Sequence, residues 1–87
     1  MVTGLKELST SGAVKATPGH VYSVTLTAAA AAATLQIRNG GSGGTIVKTI
    51  KAPIGETCSC ELHGALFAQG IYGTLSGTGA LASFEYR

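Results

Sequence analysis

Along most of this chain apolar and polar residues trade places at every second position for a short stretch, and then a Gly, Pro or Asn interrupts the pattern. Successive side chains on a strand point to opposite faces, so the pattern specifies short half-buried β-strands joined by turns. His20 to Thr27 is the clearest case, with Tyr22, Val24 and Leu26 expected on one face and Ser23, Thr25 and Thr27 on the other. Thr34 to Arg38 places Leu35 and Ile37 inward. Glu56 to Leu62 turns Cys58, Cys60 and Leu62 inward, and Gly70 to Ser76 sets Ile71 and Leu75 opposite Tyr72 and Thr74. Ala80 to Arg87 carries Ala82, Phe84 and Tyr86 on one face, against Leu81, Ser83 and Glu85 on the other.

Weaker segments fill the gaps. Val2 to Leu8 reads as an edge strand or arm, Ala13 to Thr17 as a short strand, and Thr45 to Ile50 as a strand. Thr10-Ser11-Gly12, Pro18-Gly19, Lys51 to Gly55 and Gly77-Thr78-Gly79 have turn chemistry. His63-Gly64 is expected to end its strand, leaving Ala65-Leu66-Phe67 as an apolar link. Seven or eight strands at spacings of about ten residues predict an all-β fold, a compact antiparallel β-sandwich or barrel of jelly-roll-like type. Residues 13–87 form the single expected domain, preceded by the arm or edge strand of residues 1–12, with no room for an appended active domain. A chain of 87 residues buries roughly 60–65% of its unfolded surface, enough for one thin core between two layers.

Two local signals compete with this reading. Ala28 to Ala33 is a run of the best helix former. It spans fewer than two turns, and isolated helices below about 12 residues are marginal. The run therefore reads as a hairpin connection extending into strand ends. Asn39-Gly40-Gly41-Ser42-Gly43-Gly44 suggests a phosphate loop, but a strand pattern follows it, so no helix N-terminus stands there to hold an anion. It reads as a flexible connection.

Charged residues make up 11% of the chain, against about 25% in ordinary domains. Some surface must then be neutral and smooth, as at a subunit contact. The net charge of +2 is scattered, with no basic run and no interleaved aromatics, so no nucleic-acid partner is expected. No stretch approaches the roughly 20 apolar residues of a membrane span. Met1 to Gly12 lacks the apolar core of a signal peptide, so synthesis in a cytoplasm is expected.

Residues able to do chemistry are few: no Asp, four acidic residues in all, and two His. Cys58 and Cys60 fall on one strand face and read as core thiols. A zinc site using them with His63 lacks a fourth ligand and a second cysteine pair. His63 lies three residues from Cys60, about 10 Å along an extended chain, with no Asp to orient it. Glu56, Glu61 and Glu85 read as solvated strand positions. The expectation is therefore no enzyme, with catalytic, cofactor and metal residues all absent.

The order Ala13-Val14-Lys15-Ala16-Thr17-Pro18-Gly19, Val21 to Leu26, a small-residue connection, Ala33 to Ile37, the Gly-rich loop, Gly44 to Val47, Ala52-Pro53, Gly70-Ile71-Tyr72 and a closing Tyr86-Arg87 resembles a family of small structural proteins of tailed bacteriophages. The resemblance covers roughly Ala13 to Arg87. It departs at Asn39, where Asp is commoner, and at Cys58 and Cys60, where plain apolar or β-branched residues are usual. It implies a capsid cement or decoration protein, a homotrimer made in the host bacterial cytoplasm and seated on the major capsid protein at the virion surface. Ala28, Ala30, Ala32, Tyr72, Tyr86 and the N-terminal arm are the expected subunit or capsid contacts. The alternative is a tail or fibre component that binds host glycans, with Tyr72 beside Gln69 or Asn39 as its platform.

Overall fold

A computed structural model describes residues 4–87. Eight strands follow in order: β1 (Gly4–Leu8), β2 (Gly12–Lys15), β3 (Gly19–Thr27), β4 (Ala33–Asn39), β5 (Thr45–Ala52), β6 (Thr57–Phe67), β7 (Ile71–Ser76) and β8 (Leu81–Tyr86). They form two four-stranded antiparallel sheets: a front sheet ordered β1-β8-β3-β6 and a back sheet ordered β2-β7-β4-β5. The result is a slab of 33 × 26 × 16 Å with two broad faces.

The core lies between the sheets and is wholly apolar. Val21, Val24, Leu26, Phe67, Ala82 and Phe84 enter it from the front, and Leu35, Ile37, Ile50 and Ile71 from the back. Among the described residues no polar or charged residue is buried. Phe84 fits because Gly73 stands opposite it on β7. A Cβ there would lie 2.9 Å from Leu8 Cδ1, 3.2 Å from Phe84 Cζ and 3.3 Å from Leu35 Cδ1. The missing side chain is the space the ring and the two leucines fill.

Alternation correctly places Leu35, Ile37, Ile71, Ala82 and Phe84 inward, but three expectations change. In β3 the inward residues are Val21, Val24 and Leu26, not Tyr22, Val24 and Leu26. Val21 pairs with Tyr86 and Ser23 with Glu85, leaving Tyr22 as an extra residue that shifts the phase. His63-Gly64 does not end β6. Both residues take positive φ, +53° and +79°, and form a bulge through which the strand continues to Phe67.

The alanine run is not a hairpin either. It carries the chain from β3 in the front sheet to β4 in the back sheet. Its small side chains serve a close approach. A Cβ on Gly77 would sit 2.8 Å from the Ala32 carbonyl oxygen, and one on Gly79 would sit 3.2 Å from Ala29 Cβ. The β7–β8 turn therefore lies directly on this crossover.

Phe84→Ala removes one of the two phenylalanine rings that fill the core from the front sheet, without room for collapse. It should cost about 3–5 kcal/mol, read as a lower urea midpoint at unchanged m.

Candidate functional site

Cys58 and Cys60 are free thiols paired in register with Leu26 and Val24, so both point toward the core. They are half-buried because β6 is an edge strand, and they pack against the core cluster. His63 sits on the bulge, where its backbone N–H donates to Glu61 Oε1 at 3.3 Å. His20 pairs with Leu66 and exchanges backbone hydrogen bonds with Arg87 (3.0 and 2.8 Å), which pins the C-terminal end of β8 beside β3. Among the described residues no group of three His, Cys, Asp or Glu is placed to hold a metal ion.

The expected contact residues are dispersed. Ala28 is buried and its N–H donates to the Glu56 carbonyl at 2.8 Å, whereas Ala30 and Ala32 are exposed at the same end of the slab. Tyr86 packs against the core with its ring over Gly4, where a Cβ would meet Cζ at 2.5 Å. Tyr72 faces outward on the back sheet, in register with Arg38 and Ala13. Of the N-terminal arm, residues 4–8 form edge strand β1, and Val2 and Thr3 lie outside the described residues. At the far end of the slab Asn39 Oδ1 accepts from the Gln69 backbone N–H at 2.9 Å, so these two residues do meet. Arg38 braces the adjoining Gly-rich loop, donating to the Gly44 carbonyl at 3.0 Å and to Thr74 Oγ1 at 2.9 Å.

What the arrangement offers is surface. Sheet edges invite strand addition unless blocked, and each of the four is blocked here. Lys6 on β1 is in register with Phe84, and Lys48 on β5 with Ile37, which puts a cation on the inward side of each edge. Val47 and Val14 are bulged residues on β5 and β2, and β6 carries the His63-Gly64 bulge. Contacts with other molecules must then be made by side chains.

The large apolar side chains left outside all belong to edge strands or to the turn between two of them. They are Leu5 (75% exposed) on β1, Ile46 (43%) and Val47 (49%) on β5, Ile54 (62%) in the β5–β6 turn and Leu66 (63%) on β6. Four of these five lie on the flank made by β5 and β6. The sequence held a signal for them: Ile46-Val47 and Leu66-Phe67 are adjacent apolar pairs, and the two members of such a pair cannot both point inward on a regular strand.

Charge is sorted by sheet. Front-face rows run Leu5–Glu85–Ser23–Glu61 and Glu7–Ser83–Thr25–Ser59. Ser83 Oγ donates to Glu7 at 3.2 Å, and Ser23 Oγ donates to Glu85. Back-face rows run Lys51–Thr34–Ser76, Thr49–Gln36–Thr74 and Ile46–Arg38–Tyr72. The back strands hold Lys15, Arg38, Lys48 and Lys51 with no carboxylate, and the front strands hold Glu7, Glu61 and Glu85 against Lys6 alone. A shallow concavity of about 570 Å³ on the front face is lined by Leu5, Lys6, Glu7, Thr25, Ser83, Phe84 and Glu85.

No family model, no curated protein and no solved structure matches this chain.

The bulge gives a direct test of whether His63 is kept for its conformation. A left-handed non-glycine residue costs roughly 1–2 kcal/mol, and glycine loses part of that gain through chain entropy. His63→Gly should therefore stabilise by about 0.5–1 kcal/mol in urea titration. Gly64→Ala should destabilise by at least about 1 kcal/mol, since its Cβ would stand 3.0 Å from the Tyr22 ring at a positive φ.

Proposed function

We propose that this chain is a non-enzymatic structural component of a tailed-bacteriophage particle, a cement protein that attaches to the outer surface of the major capsid protein and stabilises the head shell. The observation that carries the reading is the β5–β6 flank, where Ile46, Val47, Ile54 and Leu66 stand exposed on a small module whose edges are closed to strand addition. Exposed large apolar side chains concentrated on two edge strands and the turn that joins them suit a contact surface. The finer architecture fits the same reading. Orders β1-β8-β3-β6 and β2-β7-β4-β5 support reading the sandwich as an eight-stranded jelly roll, an architecture common in viral capsid and lectin domains. That link is by analogy of fold, which by itself assigns no function.

A trimer suits the task. Three copies engaging three capsid subunits turn later contacts into intramolecular ones, so weak single contacts add up to firm attachment. Ala30, Ala32 and Tyr72 remain available as secondary contacts, whereas Ala28 and Tyr86 serve the interior. The Asn39–Gln69 pair near Tyr72 favours one alternative, a tail or fibre module that binds host glycans.

Antibody against the protein, applied to phage particles from its source, should label heads in immunogold micrographs. Labelled tails together with a defined glycan-array hit would select the alternative, and unlabelled particles would overturn both. Ile46→Ser with Val47→Ser should lower head occupancy severalfold while the melting temperature stays within a few degrees of the parent, because each residue is already nearly half exposed.

A further inference from the structure

We propose that copies of this chain associate head to tail, the carboxylate-bearing front sheet of one copy lying on the cation-bearing back sheet of the next. This goes beyond the cement reading by naming surfaces through which copies of the chain would meet. It does not depend on capsid attachment.

The occupant of each face is identified by complementarity. A two-fold contact through either face is isologous and would set that face's charges against themselves: Glu7, Glu61 and Glu85 against the same three, or Arg38 and Lys51 against their own copies. Like charges held opposite one another are disfavoured, whereas the heterologous arrangement pairs unlike ones. Heterologous contacts make a closed ring when the rotation between copies closes, and an open stack when it does not.

Shape points the same way. The slab is only 16 Å thick beneath faces of about 33 by 26 Å, so each broad face is larger than any one side. The front concavity places Glu7 and Glu85 beside Leu5 and Phe84, with Lys6 at the same site. The exposed Leu5 side chain beside two carboxylates suits the stem and ammonium of a lysine. The outer face of the back sheet presents Arg38 on β4 and the exposed Lys51 on edge strand β5. Threonine and serine occupy most remaining positions of both faces and would allow close approach with little desolvation of charge.

Light scattering of the intact chain tests this directly. At about 0.01 M salt the wild-type mass should be a multiple of the 8.7 kDa chain. It should fall toward a single chain at about 1 M salt, where the Debye length has shortened from roughly 30 Å to 3 Å. Two reversed variants complete the test: Glu7→Lys with Glu85→Lys, and Thr49→Glu with Lys51→Glu, both positions of the second lying in the outward rows of the back face, each checked for native circular dichroism. Each alone should stay a monomer at low salt, because both of its faces then carry the same net sign, positive in the first variant and negative in the second. An equal mixture should regain at least the wild-type mass, since each face of one variant complements both faces of the other. Should the lysine variant misfold, Glu7→Gln with Glu85→Gln replaces it and should weaken assembly without restoring it on mixing.

A wild-type monomer at low salt would overturn the proposal. So would an assembly indifferent to salt, reversed variants that assemble alone, or complementary variants that do not co-assemble. Head labelling in the immunogold experiment is read separately, so a capsid-bound monomer would sink the stacking proposal and leave the cement reading standing.

Discussion

The contact on which the rest of the molecule depends is the fit of Phe84 into the space left by Gly73. With no buried polar residue among those described, nothing in the interior fixes the spacing of the sheets by hydrogen bonding, and shape alone does it. Interiors are packed as densely as organic crystals, so a ring on one sheet requires a gap on the other. Leu8 and Leu35 close around the same gap, which ties edge strand β1 and central strand β4 to one point. The same economy appears at the end of the slab, where the Gly77–Gly79 turn lies on the alanine crossover.

A thin core of this kind shapes the outside as well. Every strand has one face in the core, so polar residues are confined to the outer faces, the edges and the loops. The chain has few charges to place there and relies on threonine and serine instead. Edge strands receive the irregularities: inward cations on β1 and β5, bulges on β2, β5 and β6. These devices discourage indiscriminate sheet extension. They leave side-chain surfaces, the apolar flank and the two charged faces, as the means of association.

Much of the fold was legible from local pattern. The strand count, the inward settings of Leu35, Ile37, Ile71, Ala82 and Phe84, and the inward thiols of Cys58 and Cys60 all follow from alternation. The errors occur where alternation is broken by pairing. Tyr22 reads as a core residue until the β3–β8 register makes it a bulge. His63-Gly64 has the composition of a turn, yet it serves as a kink inside β6 because Phe67 beyond it is drawn into the core. The alanine run could not reveal that its two flanking strands belong to different sheets. Of the expected contact residues, Ala28 is buried at the crossover and Tyr86 is half-buried with its ring over Gly4.

By itself the sequence determined the class of structure: alternation sets which residues can share a face, and that rule operates over neighbours two positions apart. It also determined the scarcity of charge. Only the tertiary structure decided where the charge lies. Lys15, Arg38, Lys48 and Lys51 are scattered along the chain, as are Glu7, Glu61 and Glu85, and neither set forms a run. They are sorted onto opposite sheets because β2, β4, β5 and β7 join one and β1, β3, β6 and β8 the other. That partition comes from long-range pairing and core packing, which no local pattern encodes.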